Sequence, residues 1–209
     1  MKICIFGADG RTGVEVLKSA KSHGFEIKAF VYSKSPATLA EDDIEIVKGD
    51  VQNYEQVLQA CMNVDAVIST IGHIKGSDPK MQTNGTVNIV RAMRENHVQR
   101  IITLTGTGVR IDGDKPSMID IILNFFVQIV DPNRVADGIG HAKVLQNSGL
   151  DWTIVRVLKL GNSQKAISKY ELTNGGPAEL LTSRKKVAEA MVSLVNDKNY
   201  IGKMPVISK

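Results

Sequence analysis

Short apolar runs rich in Val and Ile alternate along the chain with longer segments whose apolar residues recur every three or four positions. Runs of the first kind are typical of strands buried on both faces, and segments of the second kind are typical of the helices that cover them. The predicted strands are 2–6, 26–32, 44–47, 65–70, 100–105, 152–157 and a short one within 165–172. The predicted helices are 12–22, 53–61 with Asn53 as N-cap, 79–96, 134–148 closed by Gly149, and 184–196.

This alternation predicts an α/β fold, with a doubly wound and mainly parallel sheet. A chain of 209 residues is expected to form a single domain over 1–209. We expect residues from about 158 to 209, where the pattern weakens, to form a small lobe on the substrate side.

The segment 118–130, from Met118 to Val130, has ten apolar residues among thirteen, on nearly every side of a predicted helix. Such a helix is buried or covers something, so it could be a core helix, the face of a homodimer or a lid over an acceptor pocket. Core or homodimer is favoured, because large exposed apolar patches are rare in monomers. The segment is shorter than the roughly 20 residues that span a bilayer, so no membrane partner is predicted.

Composition narrows the classes of protein further. Two cysteines, Cys4 and Cys61, and four scattered histidines predict neither a disulfide framework nor a metal site. Without a signal-peptide pattern, the expected location is the reducing cytoplasm. A net charge of +4 and 5% aromatic residues, with no basic stripe, argue against a nucleic-acid partner. The basic run 184–186 is interpreted as the charged start of a surface helix.

A glycine-rich turn, GADGRTG at residues 7–13, follows the first predicted strand directly and opens the first predicted helix. Gly7 permits the tight turn, Gly10 lets the backbone approach a pyrophosphate, and Gly13 lets the helix pack on the sheet. Phosphates are favoured at the helix N-terminus, so a dinucleotide in a Rossmann fold is predicted here. The predicted contacts within the turn are Gly7, Asp9, Gly10, Arg11, Thr12 and Gly13.

The end of the second strand bears on which dinucleotide binds. An NAD site usually carries a carboxylate about 20 residues after the turn, whereas this chain reads Val-Tyr-Ser-Lys at 31–34. Ser33, Lys34 and Arg11 could meet a 2′-phosphate, which a carboxylate would repel. NADP(H) is therefore the preferred cofactor, and NAD(H) remains the alternative.

Further motifs follow in order: VKGDV at 47–51, DAVISTIG at 65–72, NGTVNIV at 84–90, HAKVLQNSGLDWTIVR at 141–156 and TSR at 182–184. With the glycine turn, they make the chain resemble atypical short-chain dehydrogenase/reductases of the NmrA-like, NAD(P)H-binding kind. Within that group it looks most similar to biliverdin-IXβ/flavin reductases. The resemblance runs from about residue 2 to 194.

The resemblance implies cofactor contacts beyond the turn. Asp50 would accept from the adenine amino group, Val51 would line the adenine pocket, and Tyr32 could stack on the adenine. Other positions would follow the ribose, the pyrophosphate and the nicotinamide. They are Thr70, Ile71, Gly72, Thr105, Gly106, Arg156, Val157, Leu158 and Lys159.

Two departures from the family pattern concern catalysis. The Tyr that usually stands four residues before Lys143 is Ile139, and the usual Ser is Gly106. Thr105 and Thr107 flank that position and could substitute, while Lys143 could bond the nicotinamide ribose. These three residues are the predicted catalytic set, and no metal is predicted.

Loss of the tyrosine removes a positioned acid worth about 10²–10⁴-fold in rate. Hydride transfer to a conjugated acceptor needs less, because the cofactor carries the difficult step. The leading prediction is therefore an NADPH-dependent reductase of a flavin-like or quinone-like small molecule. A non-catalytic NAD(P)-binding redox sensor is the alternative. A sugar-nucleotide epimerase is disfavoured, since it needs the tyrosine and a larger C-terminal domain.

Overall fold

A computed structural model describes residues 1–32, 44–73, 76–163 and 169–208. The strands are β1 Lys2–Phe6, β2 Glu26–Val31, β3 Ile44–Lys48, β4 Ala66–Ser69, β5 Arg100–Gly106, β6 Asp151–Val157, β7 Leu160–Gly161, β8 Glu171–Thr173, β9 Thr182–Ser183 and β10 Val206–Ser208. The helices are α1 Arg11–Ser22, α2 Tyr54–Cys61, α3 Met81–Glu95, α4 Met118–Val130, α5 Pro132–Gln146 and α6 Arg184–Ser193.

Eight strands form one sheet in the order β3-β2-β1-β4-β5-β6-β10-β8. Every neighbouring pair is parallel except β10 and β8, which are antiparallel. The carboxyl ends of β1, β4, β5 and β6 consequently meet along one side of the sheet, which we call the carboxyl edge. The predicted doubly wound α/β fold is confirmed.

Helices cover both faces of this sheet. On one face, α1 and α6 pack against strands that include β1, β5 and β6 in one apolar cluster. On the other face, α2, α3 and α5 enclose a second cluster. Because both faces are covered, the central strands are apolar throughout, which is why they appear as continuous Val and Ile runs.

The two outer strands of the sheet are short and carry charge. Glu45 of β3 receives the side-chain ammonium groups of Lys2, at 2.6 Å, and Lys28, at 3.1 Å. At the opposite side, β8 has three residues and begins with the exposed Glu171.

Some predicted boundaries are wrong. α5 begins at Pro132, two residues before the predicted start at residue 134, and proline suits the first helical position. It ends at Gln146 with Asn147 as C-cap, so Gly149 is not the cap; with φ of 67° it supplies a left-handed turn into β6. Of the predicted strand within 165–172, residues 164–168 lie outside the described part of the chain, and β8 covers only its end.

The basic run at the start of α6 is only partly a surface feature. Lys185 is exposed, but Lys186 is buried and its Nζ lies 2.8 and 2.9 Å from the carboxylate oxygens of Glu179. Along the described residues, no helix is both long and apolar enough to cross a bilayer. Nor does the described part of the chain hold three His, Cys, Asp or Glu side chains arranged to bind a metal ion.

Candidate dinucleotide site

The glycine turn lies at the carboxyl edge, between β1 and α1. Gly7 has φ of 74°, and the Gly10 N–H donates to the Gly7 carbonyl at 3.0 Å. A Cβ on Gly13 would lie 2.0 Å from the Gly7 carbonyl oxygen, so only glycine allows α1 to start this close to the turn. No side chain caps α1, and its first turn holds no acidic residue, which suits an anionic ligand.

The end of β4 packs directly on this turn. Thr70 Oγ1 lies 3.1 Å from the carbonyl oxygens of both Phe6 and Gly7, to which it can donate its hydrogen. Ile71 closes against Gly7, where an added Cβ would meet its side chain at 3.3 Å. Gly72 has open space beside it. The structure thus brings the predicted residues that follow β4 together with the turn.

The described end of β2 lies on the other side of the turn. The Tyr32 N–H donates to Asp9 Oδ2 at 3.1 Å, while the Tyr32 side chain is 66% exposed. That exposed ring leaves the predicted stacking on adenine sterically open. Ser33 and Lys34 lie outside the described residues.

Asp50 and Val51 follow β3 at the same edge. The Asp50 N–H donates to Gln56 Oε1, and its Oδ1 accepts from the Gln52 N–H, both at 2.8 Å. Val51 is buried and packs against Gly85 of α3, where a Cβ would meet it at 2.8 Å. Asp50 therefore shapes the turn before α2 and still has its second carboxylate oxygen available to a ligand.

The end of β5 brings Thr105, Gly106 and Thr107 to the carboxyl edge. A Cβ on Gly138 of α5 would lie 2.9 Å from Thr105 Oγ1, so glycine there lets α5 approach the strand. Gly106 is exposed and pairs with Val157 across the β5–β6 ladder.

Thr107 is enclosed by a cluster that sequence reasoning missed. Its hydroxyl donates to Asp120 Oδ1 at 2.9 Å and accepts from Asn124 Nδ2 at 3.0 Å. Arg110 adds two bonds to the Asp120 carboxylate, at 3.0 and 3.1 Å, and Asn124 donates to it as well. We call these four residues the α4 clasp. With the Thr107 hydroxyl bonded on both sides, it is poorly placed to donate a proton to a substrate.

The clasp explains why the core interpretation of 118–130 is wrong. Asp120 is the one buried residue of α4, because its polar side chain and that of Asn124 face the protein. Eight large apolar residues of this helix are 46–71% exposed: Met118, Ile119, Ile121, Ile122, Phe125, Phe126, Ile129 and Val130. The four-residue spacing of Asp120 and Asn124 was the signal for a polar inner face.

On α5, Ile139 and Lys143 share one exposed side of the helix. Ile139 is 38% exposed, and Lys143 forms no side-chain hydrogen bond with another described residue. Both positions therefore stay accessible to a ligand, but the first has no proton to give.

The inner side of α5 carries buried polar residues with structural partners. Asp137 accepts from the N–H groups of Gln82, at 2.9 Å, and Thr83, at 2.8 Å, and so caps α3 from a distance. His141 lies 3.0 Å from Thr103 Oγ1, and burial lowers its pKa to about 4. His141 is neutral at pH 7 and points into the molecule.

Arg156 is the predicted site residue whose side chain the structure directs away from the edge. Its buried guanidinium donates to the carbonyls of Met204, at 2.8 Å, and Val109, at 3.0 Å, and to the Asp114 carboxylate at 2.5 and 2.7 Å. Burial alone would raise the pKa of Asp114, but the bonds from Arg156 and the Ile111 N–H, together with the charges of Arg156 and Arg110, outweigh it and lower that pKa. This ion pair fixes the loop after β5.

The chain after Arg156 returns to the edge. The Val157 carbonyl accepts from the Thr107 N–H at 3.0 Å, and the Lys159 carbonyl accepts from the Thr182 N–H at 2.8 Å. Leu158 is half-buried and Lys159 is exposed. These bonds connect the ends of β5 and β6 to the segment that leads into α6.

A parallel sheet with a glycine turn and an uncapped helix N-terminus at its carboxyl edge defines a dinucleotide-binding protein of the Rossmann class. The model of the family described as NAD(P)H-binding matches residues 7–198, and the chain belongs to this family. The resemblance found from the motifs is thereby confirmed at the level of the family.

Similar proteins agree with this assignment. An uncharacterized, chloroplastic protein of Arabidopsis thaliana is 30% identical over 74% of this chain; the chain spans 58% of that protein's length. A short-chain dehydrogenase/reductase from Veillonella parvula in complex with NADP superposes with a TM-score of 0.81, at 19% identity over 100% of this chain and 94% of that one. The anaerobilin reductase ChuY of Escherichia coli O157:H7 gives 0.80, at 18% identity over 100% and 97%. At these identities the two structures support the fold.

Proposed function

We propose that this chain is an NADPH-dependent reductase that transfers hydride to a flavin-like, quinone-like or other conjugated acceptor. The observation that carries the proposal is a contrast at one edge of the sheet. The glycine turn is shaped for a dinucleotide, whereas Ile139 replaces the usual proton donor and Thr107 is bonded to Asp120. Such a site suits a reaction with little side-chain acid/base catalysis.

The proposed cofactor lies along the carboxyl edge. Residues 7–13 hold its pyrophosphate, Asp50 and Val51 receive the adenine, and Thr70 to Gly72 follow the ribose. Thr105, Gly106 and the segment 157–159 border the nicotinamide, which supplies hydride when bound. Lys143, exposed on α5, bonds the nicotinamide ribose. Arg156 supports this end through Asp114 rather than through a contact of its own.

The acceptor takes its proton from water in this proposal. A conjugated acceptor spreads the charge that arrives with hydride, so it needs no strong acid held beside it. The name of the neighbour ChuY, an anaerobilin reductase, supports this class of substrate. The described residues between 158 and 208 form the substrate side of the site, since β7 and β9 adjoin the end of β6.

The assay that tests the function follows NADPH absorbance with FMN, a quinone and biliverdin in turn. Oxidation that depends on an acceptor is expected. The variant Thr105→Val should lower kcat by less than about tenfold, because no side chain protonates the substrate. A loss of 10²–10⁴-fold would identify Thr105 as a general acid and refute that part of the proposal. Thr105→Ser, which keeps the hydroxyl, serves as the control for the change in side-chain shape.

The preference for NADPH over NADH is also proposed. The lack of a carboxylate among residues 31–34, where one would repel a 2′-phosphate, supports it, as does the NADP bound in the Veillonella neighbour. Fluorescence titration should give at least tenfold tighter binding of NADPH. Equal dissociation constants for the two nucleotides would refute the preference.

A redox sensor that regulates a partner is the second candidate function. The exposed apolar face of α4 favours it, because surfaces of this kind are typical of protein contacts. A sensor would bind both NADP⁺ and NADPH and oxidise the latter with none of the three acceptors. A cytoplasmic location is proposed with either function, supported by the free, buried Cys4 and Cys61.

We further propose that the α4 face, residues 118–130, joins two copies of the chain. Its eight exposed apolar side chains offer on the order of 800 Å² per subunit, about what a standard interface buries. Analytical ultracentrifugation should show a dimer that Phe126→Ser with Ile129→Ser dissociates. Gln128→Ala, an exposed polar change on the same helix, is the control. A wild-type monomer at micromolar concentration would refute the dimer.

A further inference from the structure

The first turn of α6 lies beside the first turn of α1. The two helices pack along their length, and both begin at the carboxyl edge. Ser19 Oγ, at the ninth residue of α1, donates to Glu189 Oε2, at the sixth residue of α6, at 2.9 Å, so the two helices run side by side. Neither first turn carries an acidic residue; α1 has no side-chain cap, and α6 is capped by the neutral Ser183, which accepts from the Lys186 N–H at 3.2 Å. Two positive helix ends therefore lie close together without a carboxylate of their own.

Arg184 is the first residue of α6 and is held by the strand pair before it. β7 and β9 pair Gly161 with Ser183, and Arg184 Nη1 donates to the Gly161 carbonyl at 3.3 Å and to Asn162 Oδ1. These bonds use one nitrogen of the guanidinium. Its Nε is buried and has no hydrogen-bond partner among the described residues.

Arg11, the first residue of α1, is close enough to repel this guanidinium. Burial and then the charge of Arg11 lower the pKa of Arg184. Within the described residues, neither arginine forms an ion pair with a carboxylate. Two cations and two helix N-termini together make a strongly positive site, which an anion would stabilise.

We propose that Arg184 and the N-terminus of α6, together with Arg11, bind the pyrophosphate of the dinucleotide. The inference rests on the proposed nucleotide binding and adds a residue to which neither the motifs nor the comparisons give a role. A guanidinium presents several N–H donors in one plane, a geometry that suits phosphate oxygens.

The position of α6 distinguishes the pyrophosphate from the 2′-phosphate. The adenosine half of the cofactor extends over β2 and β3, on one side of the turn. Arg184 bonds to Gly161 and Asn162, which follow β6, and β6 lies on the other side of β1 from β2 and β3. Arg184 therefore faces the phosphates and the nicotinamide half. A phosphate on the acceptor is the other source of the same chemistry.

Calorimetric titration of Arg184→Gln with NADPH, NADH and inorganic pyrophosphate tests the proposal. All three dissociation constants should rise about 10- to 100-fold, as expected for lost charge-assisted hydrogen bonds, and the ratio between NADPH and NADH should stay constant. Lys185→Gln removes the same charge one residue further on, at an exposed position, and should leave all three constants within about twofold. Arg184→Lys keeps the charge but loses the planar set of N–H donors, so its dissociation constants should lie between those of the wild type and those of Arg184→Gln.

Other results would overturn the proposal. Unchanged binding in Arg184→Gln excludes any phosphate contact. A larger loss for NADPH than for NADH assigns Arg184 to the 2′-phosphate instead. A change only in the KM for FMN, with riboflavin unaffected, assigns it to the acceptor. An equal loss of nucleotide affinity in Asn162→Ala would show that Arg184 acts by holding the chain around Asn162 rather than by contacting phosphate.

The test is independent of turnover. If the protein oxidises no NADPH, the reductase proposal fails, while the titrations still report on Arg184. If Arg184→Gln melts below the assay temperature, Arg184→Lys against Lys185→Gln supplies the comparison.

Discussion

Helices α1 and α4 have opposite orientations of their apolar residues, and their sequence patterns differ: α1 is apolar along one side, whereas α4 is apolar on nearly every side. α1 buries Val16, Leu17 and Ala20 against the sheet and exposes its basic residues Arg11, Lys18 and Lys21. α4 buries Asp120 and leaves its isoleucines and phenylalanines in solvent. The comparison shows that an apolar helix need not belong to the core when a few polar residues find buried partners.

The groups that each helix contacts at its start decide which side of the helix faces the protein. At the start of α1 the backbone of Gly7 receives the helix so closely that no side chain fits between them. At the start of α4 the loop after β5 offers a hydroxyl and a guanidinium, from Thr107 and Arg110, to one carboxylate. Packing holds the first helix and hydrogen bonds hold the second, so different substitutions should detach them.

Gly13→Ala should have the largest effect. Its Cβ would lie 2.0 Å from the Gly7 carbonyl oxygen and 2.8 Å from Ala8 Cα, both backbone atoms that cannot move aside. The expected loss is more than about 3 kcal/mol of unfolding free energy, together with nucleotide binding. Urea denaturation and NADPH titration measure the two effects.

Gly24→Ala is the matched control at the far end of α1. Its φ of 74° makes alanine strained, but the space beside it is open. We expect a cost of about 1 kcal/mol and normal nucleotide binding. Similar losses of unfolding free energy in Gly13→Ala and Gly24→Ala would show that the glycine turn tolerates a side chain at residue 13. Close packing would then not distinguish the start of α1 from that of α4.

Asp120→Ala should come next. The change leaves the Thr107 hydroxyl and the Asn124 amide without their shared acceptor, and leaves Arg110, whose side chain is 34% exposed, without its ion-pair partner. A buried polar group left unsatisfied costs about 1–3 kcal/mol, so we expect a loss of about 2 kcal/mol of unfolding free energy. Amide hydrogen exchange should show α4 exposed while α1 stays protected. Gln128→Ala, also on α4, should change stability by less than about 0.5 kcal/mol. Unaltered protection of α4 in Asp120→Ala would mean that its apolar contacts hold it.

His141 provides a smaller test on α5, where polar residues also face inward. Burial lowers its pKa from 6.5 to about 4. Between pH 6.5 and pH 4 the unfolded chain therefore binds a proton at this residue that the folded chain does not bind. Stability should therefore fall with falling pH, by about 1.5 kcal/mol between pH 6.5 and pH 5. Melting curves recorded at several pH values should show that His141→Asn lacks this dependence of stability on pH. His97→Asn, a change at an exposed position, should keep the pH dependence. An equal pH dependence in the wild type and both variants would contradict its assignment to His141.

Much of the fold could be predicted because local signals agreed with the tertiary arrangement. The predicted strand 2–6 coincides with β1, and Asn53 caps α2 through its side chain, which accepts from the Gln56 N–H at 3.3 Å. The end of α5 was misplaced because Gly149 marks the turn into β6 instead of the helix terminus.

The site was predictable where chemistry depends on adjacent backbone. Gly7 to Gly13 form a continuous turn, so their spacing carries the geometry. The partners of Arg156 and Asp120 could not be inferred, because Asp114 and Thr107 meet them through loops whose path the pattern does not determine. Arg184 is a similar case, since its neighbour Arg11 is far away in sequence.

The outer strands of the sheet have a consequence for aggregation. An unpaired strand edge can add a strand from another molecule, and proteins resist this with short edges and charged side chains. Glu45, held between Lys2 and Lys28, places fixed charge on β3, and β8 ends the sheet after three residues. Growth of the sheet from one copy into the next is thereby disfavoured, which leaves helical surfaces as the route by which copies can meet without forming fibrils.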